Sequence, residues 1–234
     1  MDISGQIEGI VLFQGVPSEK IKFLISQSIV RKFKPGEIVI GEDDPIRSFY
    51  VVISGQLKLY RSSVDGKEQT LQLLGPGDPF GLCTAFATES FPANAMAIVE
   101  SSVLLIPGTV MEETARREPA ILFNIIQILS QRLKDSMELI ESLALKEIPG
   151  RLASFLCQLL PEESADKKAR VELTISQREL SKILGATPEA LSRALRKMAN
   201  DRILSTAGRI ITVLNRKALT QLAEGEQPIL IFMP

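Results

Sequence analysis

The chain has 234 residues, 45% of them hydrophobic, enough for one large domain or two modest ones with real cores. It contains no histidine, which excludes Ser-His-Asp and Cys-His catalysis and every histidine-ligated metal or haem. The net charge of −1 hides an uneven distribution: nine Lys/Arg face three acids between Arg178 and Lys217, leaving that window at +6 and the remainder at −7, an electrostatic footprint for nucleic acid.

Met1 to Gly15 lacks a basic start and a long apolar run, and no segment has the apolar length to span a membrane, so a cytoplasmic protein is expected. Residues 4–30 read as helical and partly apolar, with Ile7, Ile10, Leu12, Phe13, Ile21, Phe23 and Leu24. From Arg31 the texture changes to short β-rich runs divided by glycine turns: Val30–Phe33, Ile38–Ile40, Phe49–Ile53, Leu57–Tyr60, Thr70–Leu74, Ala93–Val99 and Val103–Ile106. Strands at this spacing predict a small antiparallel barrel or roll.

Pro119 to about Lys146 predicts a long helix. Leu122, Ile126, Leu129, Leu133, Ser136, Ile140 and Leu143 follow a 4-3-4-3-4-3 spacing, a heptad seam with one polar member. Two readings fit it, a two-chain coiled coil or a helix packed on its own barrel, and the sustained seam favours the first. Pro149-Gly150 predicts a break, followed by an amphipathic helix over Arg151–Leu160.

Thr174 to Met198 is the most informative stretch. Ser176 and Glu179 form a capping box that starts a helix, with Leu180, Ile183 and Leu184 on one face. Gly185 ends it, and Thr187-Pro188 supplies a cap and a first-turn proline for a second helix. Leu191, Leu195 and Met198 make its buried stripe, leaving Glu189, Ser192, Arg193, Arg196 and Lys197 outward. This is a helix-turn-helix, whose second helix enters a major groove. Ile203–Leu214 predicts a hairpin wing with Arg209 beside its turn, and the last residues, from Pro228, are apolar.

The expected fold is therefore α+β: a β-roll effector-sensing domain (1–118), a dimerisation helix (119–148), a winged helix-turn-helix (149–217) and a tail (218–234). This order resembles the CRP/FNR superfamily of bacterial transcription regulators. The marks that carry the resemblance are K-P-G-E from Lys34, V-I-S-G-Q-L-K-L-Y from Val52, L-G-P-G-D-P-F-G from Leu74 and T-P-E-A-L-S-R from Thr187. The resemblance implies a homodimer on a palindromic promoter site, an effector in the roll and RNA polymerase as a partner. The family's E-x-x-S-R pattern falls on Glu189, Ser192 and Arg193, and relatives that carry it read a TTGA-like half-site. An arginine can bond guanine O6 and N7, a glutamate can accept from cytosine N4, and a serine can serve base or phosphate. Arg178, Thr187, Arg196, Lys197 and Arg209 are expected on the DNA backbone or beside it.

For the effector, cyclic-nucleotide-binding relatives hold ribose and phosphate with Gly-Glu and Arg-Ser pairs. Here Gly81 is followed by Leu82, the second region reads F-P-A-N-A from Phe91, and no arginine lies between Arg61 and Arg116. A buried phosphate without a cation is costly, which disfavours cyclic AMP. Two cysteines, Cys83 and Cys157, cannot supply the four ligands of an iron–sulfur cluster, and they lack metal-type spacing, so no metal site is expected. What remains is an apolar pocket with Leu73, Phe80, Leu82, Cys83, Phe86, Phe91 and Met96 as walls and Leu122, Ile125 and Leu129 from the helix. The P-G-R-L linker at Pro149 also resembles nitric-oxide regulators of the DNR and HcpR type, implying a haem-dependent nitrosative-stress sensor. Any protein ligand to haem iron would then be Cys83, a methionine such as Met96 or Met137, a tyrosine, a lysine or the amino terminus. The competing readings are the same fold gated by another apolar ligand or by thiol chemistry, and a regulatory β-roll module that binds no DNA. An enzyme fails for want of histidine, a phosphate loop or an acid pair in a glycine-rich pocket.

Overall fold

The structure is a computed structural model that describes residues 3–45, 47–82, 86, 90–160 and 169–225, without the side chains of residues 3 and 4. It divides into two compact units, Met1–Asp135 and Ser136–Pro234. The boundary falls inside the long helix, which sequence reasoning sets apart as a segment of its own.

The first unit opens with helix α1 (Ile3–Glu8), a 3-10 turn (Val11–Phe13) and helix α2 (Ser18–Ser26). The single helical stretch expected over 4–30 is thus broken, and Gly15, at a φ of 75°, turns the chain between the pieces. Eight strands follow: β1 (Ile29–Phe33), β2 (Ile38–Ile40), β3 (Ser48–Ser54), β4 (Leu57–Ser62), β5 (Glu68–Leu74), β6 (Pro79–Phe80), β7 (Asn94–Ala97) and β8 (Ser101–Pro107). They form two antiparallel four-stranded sheets, ordered β1-β8-β3-β6 and β2-β7-β4-β5. The expected strands all occur, with ends shifted by a few residues.

Strands β3 and β8 of the first sheet are buried on both faces, and the two-residue period of a strand sorts their side chains. Phe49, Val51, Leu104 and Ile106 pack with Leu12, Phe13, Ile21 and Leu24 of the helical segment. Tyr50, Val52 and Val103 point the other way, into a second core with Ile40, Leu57, Leu74 and Ala95 of the opposing sheet. That two-sided burial explains the unbroken apolar run F-Y-V-V-I, since a strand covered on both faces has no polar alternation. Helix α3 (Gly108–Arg117), which sequence reasoning passed over, buries Met111 and Ala115, and helix α4 (Pro119–Leu145) begins two residues later. Asn124 fastens α4 to the N-terminal segment, donating to the carbonyls of Leu12 and Gln14 at 2.9 Å each.

The second unit contains the end of α4, helix α5 (Ile148–Leu159), β9 (Ala169–Glu172), helices α6 (Gln177–Ile183) and α7 (Pro188–Asn200), the hairpin β10 (Leu204–Ala207) and β11 (Ile210–Val213), and helix α8 (Arg216–Ala223). The wing is a three-stranded antiparallel sheet, β10-β11-β9, so it has one strand more than the expected hairpin. Pro149-Gly150 does not separate the helices; Pro149 sits in the first turn of α5. A first-turn N–H has no intrahelical acceptor, so proline is tolerated there, and the break falls instead at Lys146-Glu147. The boundary expected at 217/218 cuts through α8, whose Ala218 and Leu219 are buried. Asn215 caps that helix, accepting from the N–H of Ala218 at 3.0 Å. The tail beyond Gly225 lies outside the described residues. Among the described residues no helix is long and apolar enough to cross a membrane.

Gly55 turns β3 into β4 at a φ of 87°, and a Cβ there would lie 2.3 Å from Ser101 Oγ and 2.4 Å from the Glu100 carbonyl. Gly36 has the same φ with nothing within 4 Å. Left-handed backbone alone costs an L-residue ~1–2 kcal/mol, so Gly36→Ala is expected to lose that much in chemical denaturation. Gly55→Ala must also displace backbone and is expected to lose on the order of 4 kcal/mol or more. Equal losses at the two positions would contradict the packing described.

Candidate nucleic-acid interface and effector unit

The helix-turn-helix is built by its caps. Ser176 Oγ accepts from the Glu179 N–H at 3.2 Å and starts α6, while Thr187 Oγ1 accepts from the Ala190 N–H at 3.2 Å and starts α7. Between them Gly185 takes a φ of 60° and redirects the chain within three residues. Leu191, Ala194, Leu195 and Met198 fasten α7 to its own unit, with Leu180, Leu184 and Ile203 among the buried residues around them. Every polar residue expected at the DNA from this helix is therefore held on an element that cannot rotate without exposing this stripe.

Glu189, Arg193, Arg196 and Lys197 are exposed along one side of α7, Thr187 is exposed at its start and Ser192 is half-buried beside them. Arg196 donates to Ser192 Oγ at a long 3.4 Å. The Glu189 carboxyl titrates below the usual carboxylate range, held down first by a backbone hydrogen bond, then by Thr187 and the Arg193 charge. Its ionised form, the one that accepts from a cytosine amino group, thus persists below the usual range. Arg178 is exposed on α6 and Arg209 is exposed in the turn of the β10-β11 hairpin.

The nine described members of the expected effector pocket do not come together at one place. Phe80 and Phe91 belong to the core between the sheets, where Tyr50 stacks on Phe80 at 4.8 Å and burial pushes its phenol pKa up. Leu82, Phe86 and Ile125 pack instead with the helical core, and Phe86 meets Phe49 edge-on at 6.4 Å. Leu73 and Met96 both pair with Lys58 across the second sheet. Leu122 and Leu129 are exposed, and Cys83 lies outside the described residues. An open groove of about 920 Å³ does exist in this unit, lined by Ile10, Val11, Ile53, Gly77, Gln127 and Ile128 among others. None of the nine described residues of the expected pocket lines it.

Lys58, which sequence reasoning passed over, is 2% exposed, is 2.9 Å from Glu68 and lies over the Tyr60 ring at 4.7 Å. It alternates with Leu57 along β4 and so faces away from the aromatic core. A lysine in an apolar strand run, ten residues before a glutamate across a D-G turn, is the signal that would have found this pair. Among the described residues no group of three potential ligands could hold a metal. The described free cysteine, Cys157, has its thiol pKa pushed up by burial, although Thr220 hydrogen-bonds to it.

The expected seam residues Leu122, Ile126, Leu129, Leu133 and Ile140 are 41–65% exposed in the single chain. Ser136 is exposed too, Leu143 is half-buried, and the adjoining side of α4 buries Ile121 and Ile125. The helix is thus apolar on two sides, one of them open.

Residues 30–118 match the family model of the cyclic nucleotide-binding domain, and residues 150–222 match that of the Crp-like helix-turn-helix domain. The fumarate and nitrate reduction regulatory protein of Vibrio cholerae is 30% identical over 200 residues, covering 83% of this chain and 80% of that protein. A CRP-like cAMP-activated global transcriptional regulator of Mycobacterium tuberculosis is 26% identical, covering 91% of this chain and 96% of that protein. The crystal structure of FixK2 from Bradyrhizobium japonicum superposes with a TM-score of 0.72 at 28% identity, covering 83% of this chain and 96% of that one.

Replacing the α7 cap, Thr187→Ala, is expected to cost ~1 kcal/mol of stability. It also removes a hydrogen bond that lowers the Glu189 pKa, so the midpoint, followed by NMR, rises toward the ordinary value. A depressed carboxylate stabilises the fold above its unfolded pKa and loses that contribution as pH falls through the folded one. The variant's deficit therefore shrinks on acidification below the ordinary carboxylate range. An unmoved Glu189 midpoint would contradict the hydrogen bond from Thr187 to the Glu189 carboxylate.

Proposed function

The chain belongs to the CRP/FNR family of DNA-binding transcription regulators, and from that premise we propose that it acts as an effector-gated homodimer on a two-fold DNA element. It is a regulator and not an enzyme, as its relatives and both matched domains are. The observation that carries the reading is the capped helix α7, with Arg193 exposed on one side and Leu191, Leu195 and Met198 buried on the other.

Arg193 reads guanine and Glu189 accepts from cytosine, in a TTGA-like half-site. Arg196, Lys197, Arg178 and Arg209 hold phosphates and set the register. One such helix covers one half-site, so a second copy is needed, and the open apolar side of α4 supports pairing along Leu122, Ile126, Leu129, Leu133 and Ile140. RNA polymerase is the partner of such a regulator, in the cytoplasm.

The effector is a neutral, largely apolar small molecule rather than a cyclic nucleotide. Lys58 is the cation the roll buries, and Glu68 already neutralises it. The groove of about 920 Å³ supports this reading, because small-molecule clefts fall at roughly 300–1,000 Å³. Haem, the group implied by the resemblance to nitric-oxide regulators, does not fit the described residues. With no histidine in the chain, its iron needs a thiol, thioether, phenol or amine. Tyr50 is stacked in the core between the sheets, Met111 is buried in the helical core, Met96 is half-buried on β7 opposite Lys58, Met137 is 63% exposed and Cys157 is hydrogen-bonded by Thr220 in the other unit. No step of this proposal runs through haem or through a reactive thiol. The effector alters the pairing of α4, and with it the placement of the two recognition helices.

The test is binding to a palindromic TTGA duplex and to a random duplex across salt concentration. Arg193→Ala is expected to lose ~1–3 kcal/mol on the palindrome and to relax preference at one guanine. Lys197→Ala is expected to weaken both duplexes alike and to flatten the salt dependence by about one unit for each phosphate left without its cation. Equal weakening on both duplexes for Arg193→Ala would contradict its assignment as the base reader.

A further inference from the structure

Arg151 is the half-buried side chain that ties the end of the long helix to the helix-turn-helix. Its guanidinium donates through three different nitrogens to three carbonyls: Nε to Lys146 at 2.8 Å, the second terminal nitrogen to Leu143 at 2.9 Å and the first to Leu184 at 3.0 Å. All three acceptors lie at helix C-termini. Leu143 and Lys146 bracket the end of α4, and Leu184 is the C-cap of α6. The last carbonyls of a helix have no intrahelical donor and carry the negative end of its dipole, so a cation bonded there is favoured twice over.

The third contact has the longest reach. Leu184 precedes Gly185, and the recognition helix α7 begins at Pro188. Holding the Leu184 carbonyl therefore fixes the chain within a few residues of the first base-facing position. Neighbouring contacts stiffen the same corner. A Cβ on Gly150 would lie 3.0 Å from the Leu222 carbonyl, so α5 and α8 pack backbone to backbone. Lys146 Nζ reaches Ser154 Oγ at 3.1 Å, and Ser154 Oγ donates to the Ala223 carbonyl at 3.3 Å.

We propose that Arg151 is the positioning residue that sets how far apart the two recognition helices of the dimer stand, and hence which half-site spacing the protein accepts. The inference rests on the two-fold reading of the site given above. Arg151 is not a base reader in this proposal, because each of its three guanidinium nitrogens is bonded to a backbone carbonyl of its own unit. A small change of angle at this corner moves the start of α7, and successive base pairs are only roughly 3.4 Å apart. Lysine cannot replace it, since an ammonium lacks the planar fork that reaches three separated carbonyls.

The experiment uses the full-length chain and its Arg151→Lys and Arg151→Gln variants. Each is titrated by fluorescence anisotropy against palindromic duplexes with the natural half-site separation and with one or two base pairs inserted or removed, and against random duplex. The wild type is expected to prefer one separation by about tenfold or more. Both variants are expected to lose most of that preference while keeping their base preference within a half-site and their random-duplex affinity. Arg151→Lys retains charge and most packing, so it keeps the test decisive if Arg151→Gln fails to fold. A folded Arg151→Lys dimer with the wild-type spacing profile would overturn the proposal, and so would uniform weakening at every spacing. A wild-type chain that does not distinguish the palindrome from random duplex would overturn the two-fold reading itself, and is told apart because the failure precedes any substitution.

Discussion

Helix α4 is apolar on two sides, and its own unit covers only one of them. Ile121 and Ile125 lie in the core with Leu12, Phe13 and Met111, while Leu122, Ile126, Leu129, Leu133 and Ile140 stay largely open. Fully burying one such side chain is worth ~1.5–3 kcal/mol, and a helix with apolar residues around most of its girth is stable in water only when both sides are covered. A second copy offers the same stripe in return, as two-fold pairing requires. The core of the first unit and the proposed pairing of two copies both depend on this one helix. Its N-terminal part is anchored through Asn124, and its last turn is clamped by Arg151.

The second unit turns a nearly neutral chain into a DNA reader by segregation rather than by net charge. The surplus of basic residues between Arg178 and Lys217 is confined to one short stretch, and the caps at Ser176 and Thr187 fix which of those residues face outward. In the proposed reading, phosphate contacts from Arg196, Lys197 and Arg209 supply affinity without sequence information, and the Glu189–Arg193 pair supplies discrimination. The low pKa of Glu189 fits that division of labour. A base-reading acceptor must remain ionised, and the same Thr187 that starts the helix also helps to hold its charge.

Much of the fold was legible in the sequence because the governing signals are local. Capping residues, a left-handed Gly185 and the apolar spacing of Leu191, Leu195 and Met198 specify the helix-turn-helix within a single short stretch. The exposed apolar stripe on α4 reads off its heptad spacing. What the sequence hid are long-range partners. Arg151 was visible only as part of P-G-R-L, since its three acceptors are backbone carbonyls that carry no side-chain signature. The wing strand β9 pairs with β11 across both helices of the helix-turn-helix, and α8 starts from an asparagine cap that looks like a turn. The expected effector pocket joins residues of similar chemistry, but Phe80 and Phe91 enter the core between the sheets while Leu82 and Phe86 pack against the helical core. The buried Lys58–Glu68 pair escaped for the same reason, as its two members meet only when β4 and β5 fold into a ladder.

Pairing along α4 is the central claim, and the mass of the chain in solution tests it most directly. Sedimentation equilibrium at micromolar concentration is expected to return twice 25.7 kDa. A single species of 25.7 kDa would contradict the account, because the open stripe on α4 would then need another cover and one chain would present only one recognition helix to DNA.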